Sequence, residues 1–202
     1  LDMHLSDLRG LKSGTLRIAS VTTAKYFIPH LLGPFCQRYP GIDIQFTVAN
    51  RQQIIDRLEQ GLDDFYVFSH LPQGSEIEVI EFMANDLVAI ASKNHRFAKQ
   101  DKVSLEEFCQ EDFLIREVGS GTRFATEEFF KGQPINPKVK MTIASNEAII
   151  HSVLSNLGVS ILSAHTLAFG EIYGVKIIDV TSLPIQSTWS FAWMRQTSLS
   201  PI

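Results

Sequence analysis

Cysteine is scarce in this chain. Its 202 residues hold two, Cys36 and Cys109, 73 positions apart and without Cys-x-x-Cys or clustered Cys/His spacing. That excludes the ligand patterns of a structural zinc site and of a redox pair, and leaves two incidental thiols. Positive charge is also short: the net charge is −4, so the chain lacks the cationic excess with which proteins neutralise nucleic-acid phosphates. No apolar run reaches the roughly 18 residues that a membrane helix needs, and no basic start followed by an apolar stretch marks a signal peptide. A reducing cytoplasm is the expected location. The chain opens on Leu1 rather than Met, so an N-terminal portion is expected to have been removed.

Enzyme signatures are missing as well. Gly119-Ser120-Gly121 does not fit a Gly-x-Ser-x-Gly nucleophile elbow, and there is no phosphate-binding Gly-x-x-x-x-Gly-Lys-Ser/Thr loop. The six histidines are dispersed, with no His-Glu-x-x-His pair, and Asp63-Asp64 lies between Gly61 and a strand, as a turn would. No catalytic residue, metal site or cofactor is expected.

What the chain does contain is one structural sentence written twice. An apolar strand enters a Ser/Thr-rich loop, followed by helix, strand, helix, a glycine and a last strand. The first copy runs from Leu16-Arg17-Ile18-Ala19-Ser20 through Gly61 to Phe65–Ser69, and the second from Phe113-Leu114-Ile115-Arg116 through Gly158 to Val159–Ser163. Gly61 and Gly158 are 97 residues apart, and the same offset carries Thr22-Thr23 onto Gly119-Ser120. In the first copy Thr22 or Thr23 can cap a helix carrying Phe27, Ile28, Leu31, Leu32 and Phe35, with Pro29 in its opening turns. Ile42, Ile44, Phe46 and Val48 alternate as a strand, and Asn50 caps a helix with Ile54, Ile55 and Leu58. In the second, Lys138 to Ile143 reads as a strand, and Ser145 caps a helix ending at Gly158. Between the copies, Glu78 to Ser92 reads as one or two crossover strands, and Gln186 to Met194 as a strand returning to the first lobe. Leu5, Leu8 and Leu11 suit the end of a linker helix over 1–13. Strand–helix alternation of this length implies βαβ crossovers and parallel sheets, an α/β fold in two lobes.

Each copy offers a loop of small hydroxyl residues entering a helix, where unpaired N–H groups and the helix dipole favour an anion. Thr22, Thr23 and Lys25 supply this in the first copy, and Ser120, Thr122 and Arg123 in the second. Asn50 and Ser145-Asn146 open the later helices at the same carboxyl edge, where open α/β sheets bind ligands. His70 follows the last strand of the first copy and lines the same edge or stands in a solvated loop. The hydroxyls can instead be plain helix caps, and Arg123 can sit in a surface ion pair.

These residues resemble the effector-binding domain of LysR-type transcriptional regulators, and within it the CbbR/RbcR/CmpR carbon-assimilation group. The likeness is carried by Gly14-Thr15-Leu16-Arg17-Ile18-Ala19, Ile28-Pro29, Tyr39-Pro40-Gly41, Asp63-Asp64-Phe65-Tyr66-Val67, Gly119-Ser120-Gly121-Thr122-Arg123, and Ser145-Asn146-Glu147-Ala148-Ile149 running on to Gly158–Leu167. The resemblance implies two Rossmann-like subdomains of the type 2 periplasmic-binding-protein fold, joined by crossover strands. Residues 14–92 with 190–202 would form one and 93–189 the other. It implies an anionic effector between them (ribulose bisphosphate, 2-phosphoglycolate, 2-oxoglutarate or reduced nicotinamide dinucleotide phosphate) on Thr22, Thr23, Ser120, Thr122, Arg123 and Asn146, with Lys25 and His70 less firmly placed. It also implies a head-to-tail homodimer, a tetramer in the full-length protein, and DNA contact only through a winged helix-turn-helix ahead of Leu1. Ser187-Thr188 stands where relatives often carry basic residues. The competing readings are an extracytoplasmic solute-binding protein, which predicts a leader or anchor in the full gene, and a small enzyme on the same scaffold.

Overall fold

The computed structural model describes residues 13–74, 76–168 and 174–195; the linker helix expected over 1–13 lies, apart from Ser13, outside them. The chain forms two compact units. One runs to Phe82 and resumes at Trp189, and the other spans Met83–Thr188.

The first unit is built on a sheet ordered β2-β1-β3-β10-β4. Here β1 is Gly14–Val21, β2 Ile42–Ala49, β3 Phe65–Phe68, β4 Ile77–Ala84 and β10 Thr188–Met194. β1 pairs in parallel with β2, from Gly14 on Ile42 to Val21 on Ala49, and with β3, while β10 joins β3 antiparallel, Phe191 opposite Val67. Helix α1 (Ile28–Arg38) carries Pro29 in its first turn and α2 (Arg51–Glu59) follows β2. α2 starts at a full capping box: Asn50 Oδ1 accepts from Gln53 N at 3.0 Å and Gln53 Oε1 accepts from Asn50 N at 3.1 Å. Such a box satisfies two otherwise orphaned N–H groups, and losing a cap costs about 1 kcal/mol. Ile54, Leu58, Tyr66, Phe68 and Trp189 are fully buried. Phe27 packs edge-on to Trp189 with ring centroids 5.0 Å apart. Burying side chains of this size contributes about 1.5–3 kcal/mol each.

The second unit has the sheet β7-β6-β8-β5-β9: β5 Leu87–Ser92, β6 Asp112–Arg116, β7 Lys138–Ile143, β8 Val159–Ser163 and β9 Val175–Ile178. β6 is parallel to β7 and β8, and β5 is antiparallel to β8 and β9. Alternate residues of the strands feed two cores. Phe113, Ile115, Val159 and Ile161 pack with α3 (Leu105–Gln110) and α4 (Gly121–Lys131) through Phe108, Ala125 and Phe130. Leu114, Ile90 and Leu162 pack with Ile149, Ile150 and Val153 of α5 (Asn146–Leu154). Strands covered on both faces read as continuous apolar runs, which is how Phe113-Leu114-Ile115 reads. A short helix α6, His165–Ala168, follows β8.

Three details differ from the sequence reading. β5 belongs to the second sheet, so residues 87–92 lie in Met83–Thr188 rather than with the first lobe; β8 and β9 pair its two edges, and its apolar run feeds both cores of that unit, Leu87, Ala89 and Ala91 on one face and Ile90 on the other. Neither Thr22 nor Thr23 caps α1. Thr22–Tyr26 forms a 3-10 turn, and the cap position is Phe27, whose side chain makes no cap bond. Finally, Gly61 and Gly158 are not equivalent. Gly61 ends α2 at φ 61°, and the residue doing this after α5 is Asn156 at φ 58°. Leu62 N donates to Arg57 O at 3.1 Å and Leu157 N to Ser152 O at 3.0 Å, the same helix-closing bond in both units. Gly158 answers to a different constraint, because a Cβ there would stand 2.1 Å from the Asp112 carbonyl oxygen.

Candidate functional site

In each unit the parallel strands end at one edge, and the polar residues singled out above gather there. In the first unit Thr22 Oγ1 donates to Ala49 O at 3.1 Å, tying the end of β1 to the end of β2. Thr23 is buried, Lys25 is half-exposed and its Nζ lies 5.2 Å from the centroid of the Tyr26 ring. Arg51, the residue after the Asn50 cap, donates from Nε to His70 O at 2.9 Å and from Nη2 to Leu71 O at 3.3 Å. It thereby fastens the loop after β3 to the start of α2. Burial lowers the Arg51 pKa. His70 is half-buried, with Nδ1 3.2 Å from Ser69 Oγ. Burial first, and then the Arg51 guanidinium, push its pKa down to about 4, so the imidazole is neutral at physiological pH.

The second unit's edge is more tightly knit. Gly119 takes φ 89° to turn the loop, and Ser120, which is buried, accepts from Arg123 N at 3.4 Å to cap α4. Thr122 is half-buried, and its carbonyl accepts from Thr126 Oγ1 at 2.8 Å. Arg123 lies along its own helix: Nε donates to Glu127 Oε1 at 2.6 Å and Nη1 to Arg116 O at 3.2 Å. The ion-pair alternative raised from sequence is therefore present, though the guanidinium still reaches the end of β6. Asn146 is fully buried as the first residue of α5, behind the Ser145 cap, and its Oδ1 accepts from Arg116 Nη1. Arg116 itself is buried, forked onto Glu117 at 2.8 and 3.0 Å.

Arg116 thus gathers Asn146 and Arg123 about itself, while Arg51 gathers His70. Sequence reasoning passed over both arginines. The available signal was a cation closing an apolar strand, as Arg116 does after Phe-Leu-Ile, and one directly after a helix cap, as Arg51 does after Asn50. Among the described residues no His/Cys/Asp/Glu cluster is arranged for a metal ion, and no helix is long and apolar enough to cross a membrane. Burial pushes the Cys109 thiol up to about 11, far from the thiolate needed for reactivity.

Residues 9–202 match the family model described as the LysR substrate binding domain. The chain is 46% identical over 197 residues to the HTH-type transcriptional activator CmpR of Synechocystis, covering 97% of this chain and 65% of CmpR. It is 34% identical to the HTH-type transcriptional regulator CbbR of Rhodospirillum rubrum, covering 100% of this chain and 67% of that protein. Among solved structures, the regulatory domain of CcmR from Synechocystis, in complex with 2-PG, superposes with a TM-score of 0.89 at 38% identity, covering 93% of this chain and 91% of that one. The chain spans about two thirds of the length of the regulators it matches, and those relatives are named as transcriptional regulators rather than enzymes. With two α/β units of matching strand order and a family match over nearly its whole length, the chain belongs to the LysR substrate-binding-domain family.

Proposed function

We propose that this chain is the effector-sensing part of a cytoplasmic LysR-type regulator of carbon-assimilation genes, and that its effector is a small anionic metabolite engaging the carboxyl edges of both units. The candidates are 2-phosphoglycolate, ribulose bisphosphate and 2-oxoglutarate. The observation that carries the reading is the 38% identity and 0.89 TM-score to a regulatory domain whose structure holds 2-PG. Local chemistry supports it: hydroxyls at Thr22, Thr23, Ser120 and Thr122, cations at Lys25, Arg116 and Arg123, and Asn146 opening α5. A charge-assisted hydrogen bond contributes about 1.5–3 kcal/mol and micromolar affinity needs about 8 kcal/mol, so a few such contacts suffice for a metabolite sensor. No cofactor is needed for that task.

The effector acts by binding one arrangement of the two units more tightly than another, which is the only way a ligand shifts such an equilibrium. The shift passes to DNA-binding heads outside this sequence through a head-to-tail homodimer, paired into a tetramer in the full-length protein. α1 suits that contact. Only Ile28 of it is buried, and Leu31 is 51% exposed. The names of the relatives count against a solute-binding protein. Thermal shift and titration calorimetry with the three candidates test the reading. A true effector at 100 times its Kd adds about 2.7 kcal/mol to stability; a chain whose melting is moved by none of these anions would end it.

A further inference from the structure

Arg116 is a cation enclosed by protein. Its side chain is 2% exposed, and such a guanidinium requires a counter-charge on its donors. Glu117, the next residue, supplies it: Arg116 Nε lies 2.8 Å from one carboxylate oxygen and Nη2 3.0 Å from the other. The remaining arm, Nη1, donates to Asn146 Oδ1. The pair is lopsided, since the Glu117 side chain is 22% exposed, so its carboxylate forms the solvent side of the contact. Ser120, with its buried cap hydroxyl, follows three residues later, and α5 opens on Asn146. The fork that Glu117 occupies is the geometry in which arginine binds a ligand carboxylate or phosphate.

We propose that Glu117 is an internal stand-in for the effector: it neutralises Arg116 until an anionic group of the ligand takes its place on the same two donors. The inference rests on reading the second unit's carboxyl edge as an anion site. The exchange needs only a side-chain rotation. The turn around Glu117 is held by its backbone, through Glu117 O accepting from Ser120 N at 3.2 Å, with Gly119 in the left-handed region. Such an exchange selects for charge. A neutral metabolite displacing Glu117 would leave a buried guanidinium without a counter-ion, whereas a phosphate or carboxylate restores it. Resting affinity is correspondingly lowered, because every ligand competes with a tethered carboxylate.

Titration calorimetry of 2-phosphoglycolate into the intact chain, beside ligand-free melting temperatures, tests this with Glu117→Gln and Arg116→Lys. Glu117→Gln removes the competing charge and is expected to bind about tenfold more tightly than wild type, and Arg116→Lys, which keeps the charge and loses the fork, about tenfold more weakly. A merely structural pair predicts a lower melting temperature for Glu117→Gln with affinity unchanged or reduced, and that result overturns the proposal while leaving the anion-site reading intact. Should Arg116→Lys fail to fold, Glu117→Gln alone decides. Failure of wild type and both variants to bind 2-phosphoglycolate, ribulose bisphosphate or 2-oxoglutarate overturns the reading and the proposal together.

Discussion

The two units share a strand order and differ in how they hold charge at the edge that order creates. β1, β2 and β3 correspond to β6, β7 and β8, and in each unit the fourth strand, β10 or β5, arrives antiparallel from a crossover. At the first unit's edge a guanidinium, that of Arg51, rests on the carbonyls of His70 and Leu71. At the second, Arg116 rests on a carboxylate and an amide. Glu117 sets a full negative charge directly against the Arg116 guanidinium. Topology therefore positions the two edges alike, and single residues beside the strand ends set their electrostatics.

The largest expected break in the symmetry is at the glycine before the last parallel strand. Gly158→Ala drives a Cβ to 2.1 Å from the backbone of β6, which cannot yield as a side chain would. A loss of about 3 kcal/mol or more in urea denaturation is expected, with failure to fold as the extreme. A loss below 1 kcal/mol would mean that β6 and β8 can separate at this point.

Next comes acid sensitivity confined to the first edge. Because the folded-state pKa of His70 is depressed to about 4, the unfolded chain binds the proton first as pH falls. Stability is full above about pH 6.5 and declines towards pH 4, by up to about 3 kcal/mol from this group. Melting curves across that range should fall less steeply in His70→Gln. An unchanged slope would remove His70 as the cause.

The smallest effect concerns the matched helix ends. Gly61→Ala and Asn156→Ala each place alanine in a left-handed conformation with the same closing bond, and both should cost about 1 kcal/mol. Asn156→Gly should stay within about 0.5 kcal/mol of wild type. Unequal alanine penalties in chemical denaturation would show that the caps are not interchangeable.

These pairings also mark how far the sequence could be read. The helix α2 and strands β2, β6 and β7 were legible, because Ile42, Ile44 and Phe46 alternate and Asn50, Ser120 and Ser145 each bond an N–H in the first turn, as caps do. The 3-10 turn over Thr22–Tyr26 was not, since a threonine before an apolar helix looks like a cap whichever carbonyl or N–H its hydroxyl finds. The Thr22 hydroxyl bonds Ala49, 27 residues away. The placement of β5 escaped for a similar reason: its partners β8 and β9 lie far along the chain, and local pattern carries no information on which sheet recruits a strand. The offset of 97 aligned two glycines with different duties. The first relieves dihedral strain and the second makes room for a neighbouring strand, and composition cannot tell these apart. At the candidate site, hydroxyls entering helices were visible, whereas Arg51 and Arg116 become meaningful only when their acceptors are located.

The late arrival of β10 has a consequence for how the chain is made. The unit Met83–Thr188 is one unbroken stretch, while the other must wait for Thr188–Met194 to insert beside β3. During vectorial synthesis the Met83–Thr188 unit can therefore finish folding while the unit begun before it still lacks a strand, exposing an edge at β3. The unit that carries Arg116 can thus be complete before the one that carries Arg51, and β10 acts as the clasp that closes the latter.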